Sequence, residues 1–272
     1  MNFQYLLERV IKAALDAGEE ILKVYQTDFH VEYKGDKSPL TEADKRSNDC
    51  IISSLSDFQI PFLTEETVAE TFEKRKEWSK VWIIDPLDGT KEFVKRNGEF
   101  TVNIALIEDQ VPVLGVIYSP VFKDLYYAAK GLGSFKVSRH DVLSFLNENS
   151  SNLEKLFPKA IRLPLVNEKN KYTIVASRSH LSSETYHHIE NLKSSKGEVE
   201  LINSGSSLKI CMVAEGTADE YPRFGPTMEW DTAAGQAIVE LAGGKLLRQS
   251  DLKPLKYNRE ELTNPSFIVY SN

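Results

Sequence analysis

Apolar residues fall at helical spacing at the start of the chain. Phe3, Leu6, Leu7, Val10, Ile11, Ala14, Leu15, Ala17, Ile21, Leu22 and Tyr25 form one stripe, which predicts an amphipathic helix over 3–25. FHVEYK then alternates as a strand does, Gly35-Asp36 marks a turn, and KSPLT reads as a loop. Thr41 stands where it can cap a second helix, with Asp44 at capping-box spacing, and that helix offers Ile51, Ile52 and Leu55 to a core. IPFLTEE predicts a short strand running into acids, and VWIIDPLDGT an apolar strand ended by Pro86. FTVNIALIED, VPVLGVIYSP and DLYYAAKG follow as strands joined by short turns, hence an antiparallel meander.

The pattern then weakens. Residues 136–168 are polar, with a helix-like patch at DVLSFLNENSSNLEKLF, and read as a link between domains. From Tyr172 strand and helix alternate: YTIVASRS, HLSSETYHHIENLK, VELINSGS, SSLKICMVAEG, ADEYPRFG, WDTAAGQAIVELAGG and SFIVYSN. Such alternation indicates an α/β layer. The expectation is an antiparallel α+β unit over 1–168, carrying most of the candidate ligands, followed by an α/β unit over 169–272.

Composition changes this picture little. Apolar residues make up 41% of the 272, enough for two modest cores or one large one. A net charge of −7 argues against a nucleic-acid partner, which requires a basic face. It would also repel anionic substrates unless a bound cation reversed the local field. Glu8, Arg9, Lys12 and Asp16 interrupt the first apolar stripe, so it does not read as a secretory leader. No run approaches the ~20 apolar residues that cross a bilayer. The expected location is cytoplasmic, with peripheral contact at the inner face of the cell membrane left open. Cys50 and Cys211 each lie in an apolar helical run and read as buried free thiols.

Chemistry concentrates in Asp85-Pro86-Leu87-Asp88-Gly89-Thr90, at the end of the buried VWII strand. Two carboxylates across a rigid turn can point into one site. Gly89 permits close backbone approach, and a helix opening at Thr90 would offer amides to an anion. Taken alone, the hexapeptide is as readily a solvated turn. Glu65-Glu66 also ends an apolar strand, although paired surface acids are commoner than ligands, and Asp231 also begins a helix, where its plainer role is an N-cap. Three acidic clusters, each at the end of an apolar element, favour a shared site. Oxygen donors suit Mg2+ or Mn2+. Zinc is disfavoured, because no histidine lies close in sequence to these acids and the cysteines lack ligand spacing. The spacing is Asp-x-x-Asp rather than the Asp-x-Asp of aspartyl-phosphate enzymes, and a Gly-Lys-Ser/Thr nucleotide loop is absent.

WIIDPLDGT, EWDTAAG and the upstream Glu65-Glu66, in this order and separation, resemble the inositol monophosphatase superfamily. The resemblance runs from the first helix to about Gly244, excepting 136–168. DGTKEFVKRNGEFTVNIALI, VASRSH and SGSSLKICMVAEGTADEYPRFGPTMEWDTAAG resemble its branch acting on 3′(2′),5′-bisphosphate nucleotides, the CysQ group. The sequence departs from the pattern at Thr64, where Gly or Ser is usual, and at KGLGSF, where a Gly-x-Gly-Ala turn is usual.

The resemblance implies a layered αβαβα sandwich of the sugar-phosphatase type, with an antiparallel sheet in the first half and a mixed sheet in the second. It also implies a lithium-sensitive phosphatase that converts 3′-phosphoadenosine 5′-phosphate to AMP and phosphate, using two or three Mg2+ ions for which Mn2+ can substitute. By the resemblance Glu65, Asp85 and the Leu87 carbonyl hold one ion, and Asp85, Asp88 and Asp231 a second. Asp44 and Thr90 activate the attacking water, with Glu65 also counted as catalytic, and Gly89 and Thr90 hold the scissile phosphate. His180, Ser206, Lys209 and Arg223, with Asp231 beside them, contact the nucleotide. Without the family match each of these four reads more plainly as a cap, an edge residue or a solvated charge. The implied partner is a small phosphorylated nucleotide, with no obligate protein partner and a monomeric or homodimeric state.

Two other functions stay open on the sequence. One is an inositol or fructose phosphatase of the same superfamily, against which Lys91-Glu92-Phe93 speaks. The other is a non-catalytic metal or nucleotide sensor, against which the retained Asp44 and Thr90 speak.

Overall fold

The structure, a computed structural model, describes residues 3–33, 39–67, 70–148, 153–165, 169–177 and 182–272. Helix α1 (Phe3–Tyr25) leads into a small hairpin of β1 (Val31–Tyr33) and β2 (Pro39–Thr41), then α2 (Glu42–Leu55). The expected capping box forms: the Asp44 carboxylate accepts from the Thr41 amide at 2.7 Å, and the Thr41 hydroxyl accepts from the Ala43 amide at 3.2 Å. Strand β3 (Phe62–Thr64), the short α3 (Phe72–Arg75), β4 (Lys80–Asp88) and α4 (Thr90–Val94) follow, and then the meander of β5 (Thr101–Glu108), β6 (Val111–Ser119), β7 (Asp124–Ala129) and β8 (Gly133–Val137). Next come α5 (Arg139–Asn147), two single 3-10 turns and β9 (Ile161–Arg162). The last part holds β10 (Tyr172–Ser177), α6 (Ser183–Lys196), β11 (Val199–Ser204), α7 (Leu208–Glu215), β12 (Glu220–Arg223), α8 (Glu229–Leu241), β13 (Lys245–Arg248) and β14 (Phe267–Tyr270).

Strands β3 to β9 pair in chain order into one seven-stranded sheet, antiparallel except for the parallel β3–β4 pair. The second sheet runs β11-β10-β12-β14-β13 and is mixed: β10 is parallel to both neighbours, while β14 is antiparallel to β12 and β13. Helices α1 and α2 cover one face of the large sheet, α7 and α8 fill the space between the sheets, and α6 lies against β11 and β12. This is the expected αβαβα sandwich.

Strand period assigns the faces. Trp82, Ile84, Val102, Ile104 and Leu106 point to α1 and α2, while Val81, Ile83, Ala105 and Ile107 point to α8. Each fully buried Ile, Leu or Val contributes about 1.5–3 kcal/mol, so α1, which buries Leu6, Leu7, Val10, Ile11, Leu15 and Ile21, is held firmly. On the other face Gly115 lets α8 come close, since a Cβ there would lie 2.4 Å from the Ala234 carbonyl oxygen.

Five sequence expectations need correction. KSPLT is not all loop, since its Pro39–Thr41 forms β2 and pairs with β1. Strand β4 does not stop at Pro86 but continues to Asp88, because a bulge between Asp85 and Asp88 takes Pro86 out of the regular ladder, where its missing N–H costs little. The segment 136–168 is not merely a link, since β9 returns to pair with β8 at the edge of the large sheet. Strands β8 and β13 were not expected, the first being hidden in the Gly-rich KGLGSF and the second being only four residues long. Cys211 is buried but Cys50 is only half-buried. Among the described residues, no helix is long and apolar enough to cross a membrane.

Candidate active site

The β4 strand carries its alternation one step past the hydrophobic run, so Asp85 follows Val81 and Ile83 onto the face that meets α8. There it meets Asp88, from the end of the same strand, and Asp231, from the first turn of α8. One ligand oxygen from each of the three lies within 4.8 Å of the others. Asp85 is only 1% exposed. Burial, and then repulsion from Glu65, Asp88, Asp231 and Asp44, pushes its carboxyl well above the usual range. Burial, followed by repulsion from Asp88, raises Asp231 to about 8 against the opposing hydrogen bond from the Met228 amide. Three carboxylates forced together, one buried and two half-buried, call for a compensating positive charge. The donor set, all oxygen and without histidine or thiol, fits a hard divalent cation.

Each carboxylate is held by its neighbours. Asp85 Oδ1 accepts from the Leu87 amide at 3.1 Å. Asp88 Oδ2 accepts from the Ser206 hydroxyl and the Ser207 amide, both at 2.6 Å, and from Asn103 Nδ2 at 3.3 Å. Asp231 is not the N-cap of α8, as its plainer sequence role would have it. It is the third helical residue, and its Oδ2 accepts from the Met228 amide at 2.8 Å. Glu65 follows β3, and its amide donates to the Ile84 carbonyl at 3.2 Å, which brings it beside the end of β4.

Beside the cluster lies the second expected pair. Asp44, 2% exposed, accepts from the Thr90 hydroxyl at 3.2 Å on Oδ1 and from the Thr41 hydroxyl at 2.7 Å on Oδ2. The Leu87 carbonyl, 3.3 Å from the Thr90 hydroxyl, is the alternative acceptor for the same proton. Gly89 precedes α4 with φ +95°, a conformation that strains any residue bearing a Cβ. A Cβ there would also approach the Glu99 carbonyl oxygen to 3.0 Å. The first amides of α4 have no partner within the helix and are available to an anion.

The expected nucleotide contacts separate. Lys209 is 5% exposed, with its ammonium 5.3 Å from the centre of the Tyr221 ring and donating to the Ser206 carbonyl. Burial lowers its pKa to about 8, opposed by Asp88. Arg223 donates through Nη2 to the Pro226 carbonyl at 3.0 Å, while its buried Nε has no hydrogen-bond partner among the described residues. Ser206 turns its hydroxyl to Asp88. His180 lies outside the described residues.

Sequence reasoning missed Thr101, Asn103 and Ser207. The Thr101 hydroxyl lies 2.6 Å from that of Ser206, and Asn103 Oδ1 accepts from Ser207 Oγ at 2.9 Å, so the three lock the support of Asp88. The available signal was a polar residue inside the apolar run FTVNIALI.

Comparison with known proteins agrees with this geometry. A protein of Salmonella typhimurium named 3′(2′),5′-bisphosphate nucleotidase CysQ is 44% identical over 269 residues, covering 97% of this chain and 99% of its own. The Escherichia coli protein of the same name is 41% identical with the same coverage. The crystal structure of CysQ from Bacteroides thetaiotaomicron, a bacterial member of the inositol monophosphatase family, superposes with a TM-score of 0.89 at 48% identity, covering 99% of this chain and 98% of that one. An inositol monophosphatase from Anabaena, at 24% identity and a TM-score of 0.71, shares the fold. The pattern of the inositol monophosphatase family matches residues 3–266, nearly end to end, and with the αβαβα layers and the converging carboxylates this places the chain as a member of that family.

Proposed function

We propose that this chain is a 3′(2′),5′-bisphosphate nucleotidase that hydrolyses the 3′-phosphate of 3′-phosphoadenosine 5′-phosphate to AMP and phosphate with Mg2+. The observation that carries the reading is the convergence of buried Asp85 with half-buried Asp88 and Asp231 beside the Asp44–Thr90 hydrogen bond. The near full-length likeness to proteins named for this activity supports the choice of substrate.

Asp85, Asp88 and Asp231, with Glu65 and the Leu87 carbonyl, would hold the ions. When bound, these supply positive charge to phosphate oxygens and Lewis acidity toward water. The remaining work falls to the protein. Asp44, fixed by both donors of Thr41, accepts the Thr90 proton and leaves the Thr90 oxygen free to accept a proton from the attacking water. The amides at Gly89 and Thr90 hold the scissile phosphate in line. Lys209 and Arg223 answer the second phosphate of the nucleotide, Arg223 through a planar fork that suits phosphate oxygens. His180 is assigned to the nucleotide on the same reading. Ser206 supports Asp88 first, and its part in substrate binding is indirect. No covalent enzyme intermediate is required.

The test is phosphate release in Mg2+ from 3′-phosphoadenosine 5′-phosphate and from inositol 1-phosphate, for the native protein and Asp85→Asn. The expected result is strong preference for the nucleotide, abolished by the substitution. Preference for inositol 1-phosphate would overturn the substrate, and release that survives Asp85→Asn would overturn the site.

A further inference from the structure

A closed polar network holds the first turn of α8 from behind the carboxylate cluster. At its centre is Glu229, a carboxylate with 0% exposure. Its Oε2 accepts from the Asn258 amide at 2.6 Å, and its Oε1 from both the amide and Nε of Arg259 at 3.0 Å. Arg259 also sends Nη2 to Asn264 Oδ1 at 2.9 Å and to the Thr263 carbonyl at 3.2 Å. Asn264 Nδ2 in turn reaches the Met228 carbonyl at 2.6 Å and the Thr232 hydroxyl at 3.0 Å. The Met228 amide is the donor to Asp231. Contacts therefore run unbroken from Arg259 to the backbone that holds the Asp231 carboxylate.

The network also reaches the segment that follows Glu65. Buried Arg75 donates through Nη1 to Asn258 Oδ1 at 3.0 Å and to the Arg259 carbonyl at 3.1 Å, while Asn258 Nδ2 donates to the Arg75 carbonyl at 2.7 Å. Asn258 takes φ +58°, which asparagine tolerates better than most residues. One loop, 258–264, thus contacts both α3, through Arg75, and the first turn of α8, which carries Asp231. A buried ion pair is a poor source of stability, because apolar replacements of similar volume are commonly neutral or better. What the planar fork of Arg259 supplies is orientation.

We propose that Glu229, Arg259 and Asn264 are positioning residues for the divalent-cation site, fixing the first turn of α8 so that Asp231 meets Asp85 and Asp88. This rests on the metal-site reading given above. Groups that orient metal ligands govern affinity, and losing one costs roughly tenfold or more.

The test is Mn2+ binding to the purified protein, followed through the spin-resonance signal of the free ion, together with thermal unfolding in the absence of metal. Arg259→Lys, which keeps the charge but loses the fork, and Asn264→Ala should each weaken Mn2+ binding by about tenfold or more. Ile104→Ala, in the core on the opposite face of the sheet, should lower the melting temperature yet keep native Mn2+ affinity. Native affinity in both network variants would overturn the inference, as would an equal loss in Ile104→Ala, which would mark general loosening. Failure of the native protein to bind Mn2+, with Asp231→Asn behaving identically, would instead overturn the metal-site reading beneath it.

Discussion

The two faces of the seven-stranded sheet carry different kinds of information. Toward α1 and α2 the strands present Trp82, Ile84, Val102, Ile104 and Leu106, and the face is apolar along its length. Toward α8 the same strands begin with Val81, Ile83, Ala105 and Ile107 and then turn polar at one end, with Asp85, Thr101 and Asn103 all nearly or wholly buried. One face gains free energy from every residue. The other gives some of it up at one end, where repelling carboxylates are held together. Stability and chemistry are thus separated across a single layer of backbone, and substitutions on the two sides should fail in different ways.

The largest expected effect lies on the α8 side. Asp88→Asn should lower phosphate release by about a thousandfold, matching the several kcal/mol that a Lewis-acidic site contributes. The same variant, measured metal-free by denaturant unfolding at neutral pH, should lose little stability, because one member of a repelling cluster is neutralised. A parallel collapse in stability would break the contrast between the faces. Next in size, Ile104→Ala on the α1 side should cost about 2–5 kcal/mol in the same unfolding measurement. The protein that remains folded should keep its kcat, and a proportionate loss of kcat would show that the faces are not independent.

The smallest effect concerns pH. The Asp231 carboxyl rises from an ordinary 3.8 to about 8 on folding without metal. A raised folded value means that the protonated form stabilises the fold fully below 3.8, and that this contribution is lost as pH climbs through about 8. A cation must displace that proton at low pH but not above the folded pKa. Added Mg2+ should therefore raise the melting temperature more at about pH 8.5 than at about pH 5. An equal rise at both would show that Asp231 does not titrate with the site.

Much of this arrangement was legible in the sequence, for identifiable reasons. The 3–25 stripe gave α1 to the residue, and Thr41 with Asp44 gave the start of α2, because both signals are local. Asp85, Asp88 and Asp231 stood out because acids at the ends of apolar elements are conspicuous. Asp44 was first legible as the capping-box partner of Thr41, and it is that. What makes it available to Thr90 is a contact across 46 residues, which no local period encodes. Arg75, Arg259 and Asn264 gave no signal at all, and Glu229 entered only as the first residue of EWDTAAG, with no role read from it. Each looks like a surface charge or a turn residue until the 258–264 loop brings them together. The continuation of β4 past Pro86 was likewise hidden, since proline argues against a strand and only the pairing of Asp88 with Thr101 overrides it.

That irregularity in β4 has a consequence of parity. In an even pleat, residues an odd number apart face opposite ways, so Asp85 and Asp88 would stand back to back. Along β4 three steps separate the partners of Asn103 and Thr101, whereas β5 takes only two. The surplus residue reverses the sign of the alternation and brings both carboxylates to one side. The turn thus acts as a counting device, and its length matters as much as its chemistry. Conservative replacements within Pro86-Leu87 leave the count intact, while removal of either residue would leave the acids two steps apart on one side of a regular pleat and take away the bulge that sets the spacing between them.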